Sequence, residues 1–231
     1  KSVNPPAPFS QGLKVNPMQD VKQPRILSNF KAYLKMNGLK KSLDDFFETK
    51  NLMLVNDICV KMMSSKERIN GKVVPMCSVI NAVVLYIASH VQDEKGKSAE
   101  AFQEKESIEL FRQITVQLND ETRLCFFNSI ANELRYPNSH TYFFCLILLH
   151  LFAESKANIQ EQISAVLFER LQSLRPHPWG LMINFRELLQ NQKYGFMRSS
   201  LVSQNQEAIK NLFAYKERLR NFLHFLPQKQ P

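Results

Sequence analysis

The chain has 231 residues, 44% apolar and 22% charged, with 6 glycines, 17 phenylalanines and a net charge of +9. This is an ordinary globular composition, long enough for one domain or a helical array with a sizeable core, and so few glycines argue against a turn-rich sandwich or barrel. The charge is uneven: residues 1–72 carry 13 Lys/Arg against 6 Asp/Glu (+7), and residues 73–231 carry 17 against 15 (+2), so the basic excess belongs to the N-terminal third.

Residues 1–29 contain Pro5, Pro6, Pro8, Pro17 and Pro24, which forbid a continuous helix there. The segment is expected to be extended, lying on the domain through Phe9, Leu13, Val15, Ile26, Leu27 and Phe30. The predicted organisation is an extended, Pro-rich and basic segment over residues 1–41, followed by a helical domain over 42–226. Ser42 with Asp45 reads as a capping-box-like helix start, with Leu43, Phe46 and Phe47 at helical spacing. A second helix is predicted from about Met53 to Met63, with Leu54, Ile58 and Met62 on one face. Ser64 to Lys72 is polar, contains Gly71 and reads as a loop. Pro75 then opens a strongly apolar helix to about Val91, buried on several sides.

Asp93 to Lys97 reads as a charged turn. A helix from about Ala99 to Leu118 follows, with Ile108, Phe111, Ile114 and Leu118 at three-to-four spacing. Asn119 is placed to cap the next helix, whose first turn carries Asp120 and Glu121 at the positive end of the dipole. After the turn at Tyr136–Ser139 comes an apolar helix ending near Glu154. Asn158 with Glu161 reads as another capping-box start, for a helix to about Leu174. Pro178 suits the first turn of a helix holding Leu181, Phe185 and Leu188. Gln190 to Ser203 reads as irregular, and a last helix as Gln206 to Leu223. The pairs near 119–154 and 158–190 are offset by about forty residues, in the range of HEAT-like repeats. The expected fold is therefore all-α, HEAT-like stacked antiparallel helix pairs, with an irregular bundle as the alternative.

The first residue is lysine, which points to a piece of a longer chain, and no charged-then-apolar leader suggests a signal peptide. The most apolar stretch, Tyr142 to Phe152, is about half a membrane span and reads as a buried helix. Cys59, Cys77, Cys125 and Cys145 form no CxxC pair and sit in apolar helical patterns, so all four are expected as reduced, buried thiols in cytosol or nucleus.

No glycine-rich phosphate loop, GxSxG elbow or HExxH motif occurs. The five histidines are scattered; His150 and Glu154, four apart, make half a metal site and read better as a structural pair. No cofactor, metal, small-molecule substrate or membrane partner is expected. Two segments stand out, Arg135-Tyr136-Pro137-Asn138-Ser139-His140 and Arg175-Pro176-His177-Pro178-Trp179-Gly180. Each places proline, an aromatic ring, Arg and His in a turn between helices. Arg135, Tyr136, Asn138, His140, Arg175, His177 and Trp179 are the candidate interface anchors, as rigid Arg- and aromatic-rich turns can be. The competing reading is that Trp179 packs on neighbouring helices and Arg175 caps carbonyls. Lys31, Lys35, Lys40 and Lys41 are the candidate cations of the basic third, for an acidic partner or RNA, against a solvated surface.

The run NxLRYPNSHTYFFxxxLLxLFAE (residues 132–154), then IQEQIxxVLxERL (159–171) and RPHPWGLxxxFxELLxN (175–191), resembles the C-terminal domain of the scaffold subunit, the first NOT subunit, of the CCR–NOT mRNA deadenylase complex. Residues 24–30 and 80–86 resemble it too, whereas Met197 and the charged segment 93–106 depart from it. The resemblance implies a HEAT-like, non-catalytic domain that docks the second NOT subunit with the third or fifth. It also implies roles in mRNA deadenylation, decay and translational repression, in the cytoplasm and also the nucleus. The alternative is direct RNA binding by the basic third, although no RNP-type aromatic motif or KH loop is present.

Overall fold

The computed structural model describes residues 24–90, 106–137, 139–174 and 178–212, with side chains from residue 30 and not that of Ser139. Its helices are α1 (Pro24–Met36), α2 (Leu39–Thr49), α3 (Met53–Ser64), α4 (Cys77–Ser89), α5 (Glu106–Gln117), α6 (Asp120–Asn132), α7 (Ser139–Glu154), α8 (Ala157–Ser173), α9 (Trp179–Gln190) and a short α10 (Ser200–Gln204). Two 3-10 turns, Gln192–Tyr194 and Phe196–Arg198, precede α10, and residues 206–212 are again helical. The only strands among the described residues are β1 (Lys66–Ile69) and β2 (Lys72–Pro75), an antiparallel hairpin.

The helices form two rows. In one, α1 packs on α4, α4 on α6 and α6 on α8; in the other, α2, α3, α5, α7 and α9 follow each other in the same way. The contacts of α1 with α2, α4 with α5, α6 with α7 and α8 with α9 join the rows into stacked pairs. The pairs α6–α7 and α8–α9 are those expected from the forty-residue offset. Helix α4 is apolar on several sides because it lies between α1 and α6 and faces the second row; Val79, Ile80, Val83, Val84 and Ile87 are all fully buried. Helix α7 buries Phe143, Phe144, Ile147, Leu148, Leu151 and Phe152 in the same manner.

Several expectations are corrected. Residues 24–41 are not extended: α1 begins at Pro24, where a missing N–H costs nothing in a first helical turn, and α2 begins at Leu39 after Gly38, whose φ of 65° turns the chain. The helical body thus starts by residue 24 rather than 42, and residues 1–23 lie outside the described part. Ser42 is no cap; its hydroxyl donates to Asp57 at 2.6 Å and accepts from Lys61 Nζ at 2.7 Å. The polar loop expected at 64–72 is the hairpin. Asn70 and Gly71 take φ of 51° and 80°, the left-handed pair a tight two-residue hairpin turn requires. Pro75 ends β2 instead of opening a helix. Lys156, not Asn158, precedes α8 as its cap residue, and Glu161 accepts from Ser200 Oγ at 3.2 Å. The charged turn near 93–97, the part of α5 expected before residue 106 and the last helix beyond 212 lie outside the described residues.

Asn119 does cap α6, its Oδ1 accepting from the Thr122 N–H at 2.9 Å. Arg123, 6% exposed, closes the end of α5 from inside the stack. Its Nε donates to the Thr115 carbonyl at 2.7 Å, another guanidinium N–H donates to the Leu118 carbonyl, and Nη1 pairs with Asp120 at 2.7 Å. Helix α2 is tied to α4 through Asp44, which accepts from Lys40 and from the Tyr86 hydroxyl. Burial works against the Asp44 charge, but these hydrogen bonds and the Lys40 charge hold its carboxyl below the usual range.

Cys77 of α4 and Cys125 of α6 lie side by side, Cα atoms 6.1 Å apart, and Cys77 is exposed rather than buried as expected. Cys59 and Cys145 are free and buried, as expected, and burial pushes both thiols up to about 12. Only the thiolate form of a cysteine attacks a disulfide such as Ellman's reagent. Cys59 and Cys145 should therefore stay unmodified by Ellman's reagent at mildly alkaline pH in the folded chain and react on denaturation. Rapid modification of either in the native protein would contradict this packing.

Candidate docking site at the paired turns

The two turns singled out in the sequence belong to successive helix pairs, α6–α7 and α8–α9, and stacking brings them together. The Trp179 N–H donates to the Arg135 carbonyl at 3.1 Å. Next to it, Gly180 is in such close contact that a Cβ there would meet Thr141 Cγ2 at 2.6 Å and both Leu134 Cβ and its carbonyl oxygen at 3.0 Å. The Cys145 thiol sits 3.8 Å from the Gly180 carbonyl. The RPHPWG turn thus requires glycine because a helix start is pressed against the RYPNSH turn.

Beside this joint lies a cleft of about 400 Å³ lined by Asn81 of α4, Asn132 and Glu133 at the end of α6, Arg135 and Tyr136 of the turn, and His140 and Thr141 of α7. His140 Nε2 and Glu133 Oε2 are 2.7 Å apart, and the Thr141 hydroxyl donates to the Glu133 carbonyl at 2.9 Å. These bonds hold the start of α7 against the end of α6. Tyr136 is 69% exposed at the rim, with Arg135 exposed beside it. Asn81 Oδ1 is buried with no hydrogen-bond partner among the described residues, an acceptor that an occupant carrying an N–H would satisfy. The positive charge of Arg135 reaches Arg170 on α8. Burial first and that charge second lower the pKa of Arg170, whose Nε donates to Asn128 Oδ1 at 2.9 Å. In chemical terms the cleft offers polar walls with a buried acceptor, and a rim of one ring and one guanidinium.

Of the predicted site residues, Arg135, Tyr136 and His140 converge on the cleft, and Trp179 is half-buried at the joint. Asn138, Arg175 and His177 lie outside the described residues. The four lysines line no part of the cleft. Lys35 and Lys41 are exposed on α1 and α2, and Lys31 is half-exposed. Lys40 is already engaged, bonded to Asp44 with its ammonium 5.9 Å from the Tyr86 ring centre. Asn81, Asn132, Glu133 and Thr141 had not been singled out. The His140–Glu133 spacing of seven residues spans a turn between two helices, so no helical periodicity marks it. His150, whose spacing to Glu154 makes half a metal site but reads better as a structural pair, is half-buried, and burial lowers its pKa despite the Glu154 charge. Among the described residues no cluster of three or more His, Cys, Asp or Glu is arranged to hold a metal ion, and no helix is long and apolar enough to cross a membrane.

Comparison with known proteins fits this helical stack. The family model described as "CCR4-Not complex component, Not1" matches residues 1–216. The chain belongs to the Not1 family. A relative from Caenorhabditis elegans, the CCR4-NOT transcription complex subunit let-711, is 43% identical over 132 residues, covering 54% of this chain and 5% of that protein. General negative regulator of transcription subunit 1 from Schizosaccharomyces pombe is 32% identical over 210 residues, covering 87% of this chain and 10% of that protein. The chain therefore spans a tenth or less of the length of these curated relatives. Among solved structures, the NOT1 superfamily homology domain from Chaetomium thermophilum matches with a TM-score of 0.63 and 26% identity, over 80% of this chain and 37% of that one. A Not1 C-terminal domain solved in complex with Not4 matches in fold, with a TM-score of 0.59 at 21% identity, over 83% of this chain and 39% of that one. The Not1 scaffold resemblance and the all-α architecture both stand.

Proposed function

We propose that this chain is a non-catalytic docking domain of a CCR4-Not scaffold. It holds the second NOT subunit together with the third or fifth, in the cytoplasm and the nucleus, and so supports mRNA deadenylation, mRNA decay and translational repression. The observation that carries this reading is Not1 family membership over nearly the whole chain, in a helical stack whose family-like turns meet at one polar cleft. That a related Not1 C-terminal domain was solved bound to Not4 supports a docking role. The cleft between Tyr136, Arg135 and His140 takes a donor-bearing side chain of the partner, and Trp179 with Asn138, Arg175 and His177 extends the contact along the same two turns. An exposed ring and guanidinium that become buried on binding are the residue types that dominate interface energetics.

The test is affinity purification with this chain as bait, with nuclease present. Recovery of the other NOT subunits, reduced at least about tenfold by Tyr136→Ala with Arg135→Glu, is expected for anchors of this kind. Undiminished recovery by that variant would remove the cleft from the docking surface. Failure to recover any NOT subunit, with nuclease-sensitive capture of RNA-bound proteins instead, would favour direct RNA binding by the basic third.

A further inference from the structure

The β1–β2 hairpin lies apart from the cleft, and its edge chemistry is specific. In a two-residue hairpin, facing pairs alternate between those that exchange main-chain hydrogen bonds and those that do not. Ile69 faces Lys72, Arg68 faces Val73, Glu67 faces Val74 and Lys66 faces Pro75. The Met76 N–H donates to the Ser65 carbonyl at 2.9 Å, one step beyond the last pair. That fixes the phase. Ile69/Lys72 and Glu67/Val74 are the bonded pairs, and Lys66 and Arg68 on β1, with Val73 and Pro75 on β2, direct their main-chain groups outward. The β2 edge lacks a donor at Pro75, and β2 packs against α3 and α6. The β1 edge offers N–H and C=O at both Lys66 and Arg68.

The side chains beside that edge are cationic and apolar. Lys66, Arg68, Lys72, Ile69 and Val73 are exposed, whereas Glu67, the hairpin's one carboxylate, is half-buried on the opposite face with Val74. Ser65 Oγ donates to Asn37 Oδ1 at 3.1 Å, which brings the exposed Lys35 and Met36 to the root of the hairpin. Lys66 and Arg68, two residues apart on one face, match a strand with acidic side chains at alternate positions.

We propose that the edge of β1, unpaired among the described residues, takes an acidic, extended segment of a partner protein as a third strand. Strand addition supplies the main-chain hydrogen bonds, and the Lys66/Arg68 pair selects the charge. A second copy of this chain is disfavoured, because pairing β1 with β1 sets Lys66 and Arg68 against their counterparts. RNA is disfavoured because none of the exposed side chains of the hairpin is aromatic, so they give no stacking platform, and half the outward main-chain groups are carbonyls that would face phosphates. A four-residue edge binds weakly alone and strongly only when the same partner is anchored elsewhere, which suits a scaffold. The proposal is independent of what occupies the cleft.

The experiment titrates the 231-residue chain with a fluorescein-labelled peptide of alternating glutamate with valine or threonine, at low and high salt. Expected is saturable, salt-weakened binding, with slowed amide exchange at Lys66 and Arg68. K66E with R68E should weaken it about tenfold, from two reversed cross-strand pairs. Arg68→Pro should weaken it too, since the lost N–H points outward and the hairpin itself keeps its bonds; unchanged melting of both variants checks the fold. The proposal is overturned if the peptide does not bind, if the variants bind it equally, or if a proline-interrupted acidic peptide binds as well, which would mean charge attraction without a strand. Binding of oligoadenylate, lost in K66E/R68E, without peptide binding would overturn it in favour of RNA.

Discussion

Phe185→Ala is expected to destabilise the domain by about 3–5 kcal/mol, the range for emptying a buried phenylalanine site that cannot collapse. Phe185 is 1% exposed and joins three parts of the C-terminal end. Its ring stacks on Phe168 of α8 at 6.0 Å between centroids and 22° between planes, and meets Phe196 of the second 3-10 turn edge-on at 5.6 Å. Phe196 in turn meets Phe152 of α7 at 5.8 Å. No neighbour can follow the lost ring without leaving its own partner, so the cavity persists. At roughly 2–4 °C per kcal/mol for a domain of this size, the melting temperature should fall by about 10 °C or more. Phe185→Leu, which keeps most of the volume, should cost less than about 1.5 kcal/mol. Because stacked helix pairs contact chiefly their neighbours, amide protection should drop first in α8, α9 and the 3-10 turns and least in α1 and α2. A melting curve unchanged by Phe185→Ala would mean that this end of the stack is not closed as described.

The parts legible in the sequence were those where local pattern and tertiary context agree. Asn119 capped α6 because a short acceptor, two acids and an apolar run all point to one helix start. The apolar residues on several sides of α4, and the apolar run of α7, announced burial between neighbours. The misreadings came from signals that carry two meanings. Prolines in the first thirty residues argued for extension, yet Pro24 is harmless at a helix start, and only the packing of α1 on α4 decides between the two. Ser42 with Asp45 has the spacing of a capping box but lies inside α2, where Ser42 serves Asp57 and Lys61 instead. Asn70-Gly71 was the one local mark of a hairpin, overridden by the polarity of the flanking residues. The cleft illustrates a deeper limit. Arg135, Tyr136 and His140 stand out by residue type, but Asn81 joins them from α4, some fifty residues earlier in the chain. No local pattern shows that the RYPNSH and RPHPWG turns touch.

That contact makes the second strong prediction. Gly180→Ala should destabilise the chain by about 1–3 kcal/mol, although alanine is by itself the better helix former. The added methyl would lie 2.6 Å from Thr141 Cγ2, closer than such atoms approach, and 3.0 Å from Leu134 Cβ and its carbonyl oxygen. Thr141 is 1% exposed and its hydroxyl is bonded to the Glu133 carbonyl, so it cannot rotate away without losing that bond. The strain must instead part the two turns, weakening the Trp179–Arg135 hydrogen bond and opening the cleft. Thr141→Ser supplies the diagnostic second change, because it keeps the hydroxyl and removes the offending methyl. Combined with Gly180→Ala it should recover about 1 kcal/mol or more of the loss, a coupling measurable in a double-mutant cycle by chemical denaturation. Simple additivity of the two changes would show that the turns are not in contact through these residues. Recovery of stability together with recovery of partner capture would tie the docking role to the geometry of this joint, since neither Gly180 nor Thr141 has to touch the partner for the cleft to depend on them.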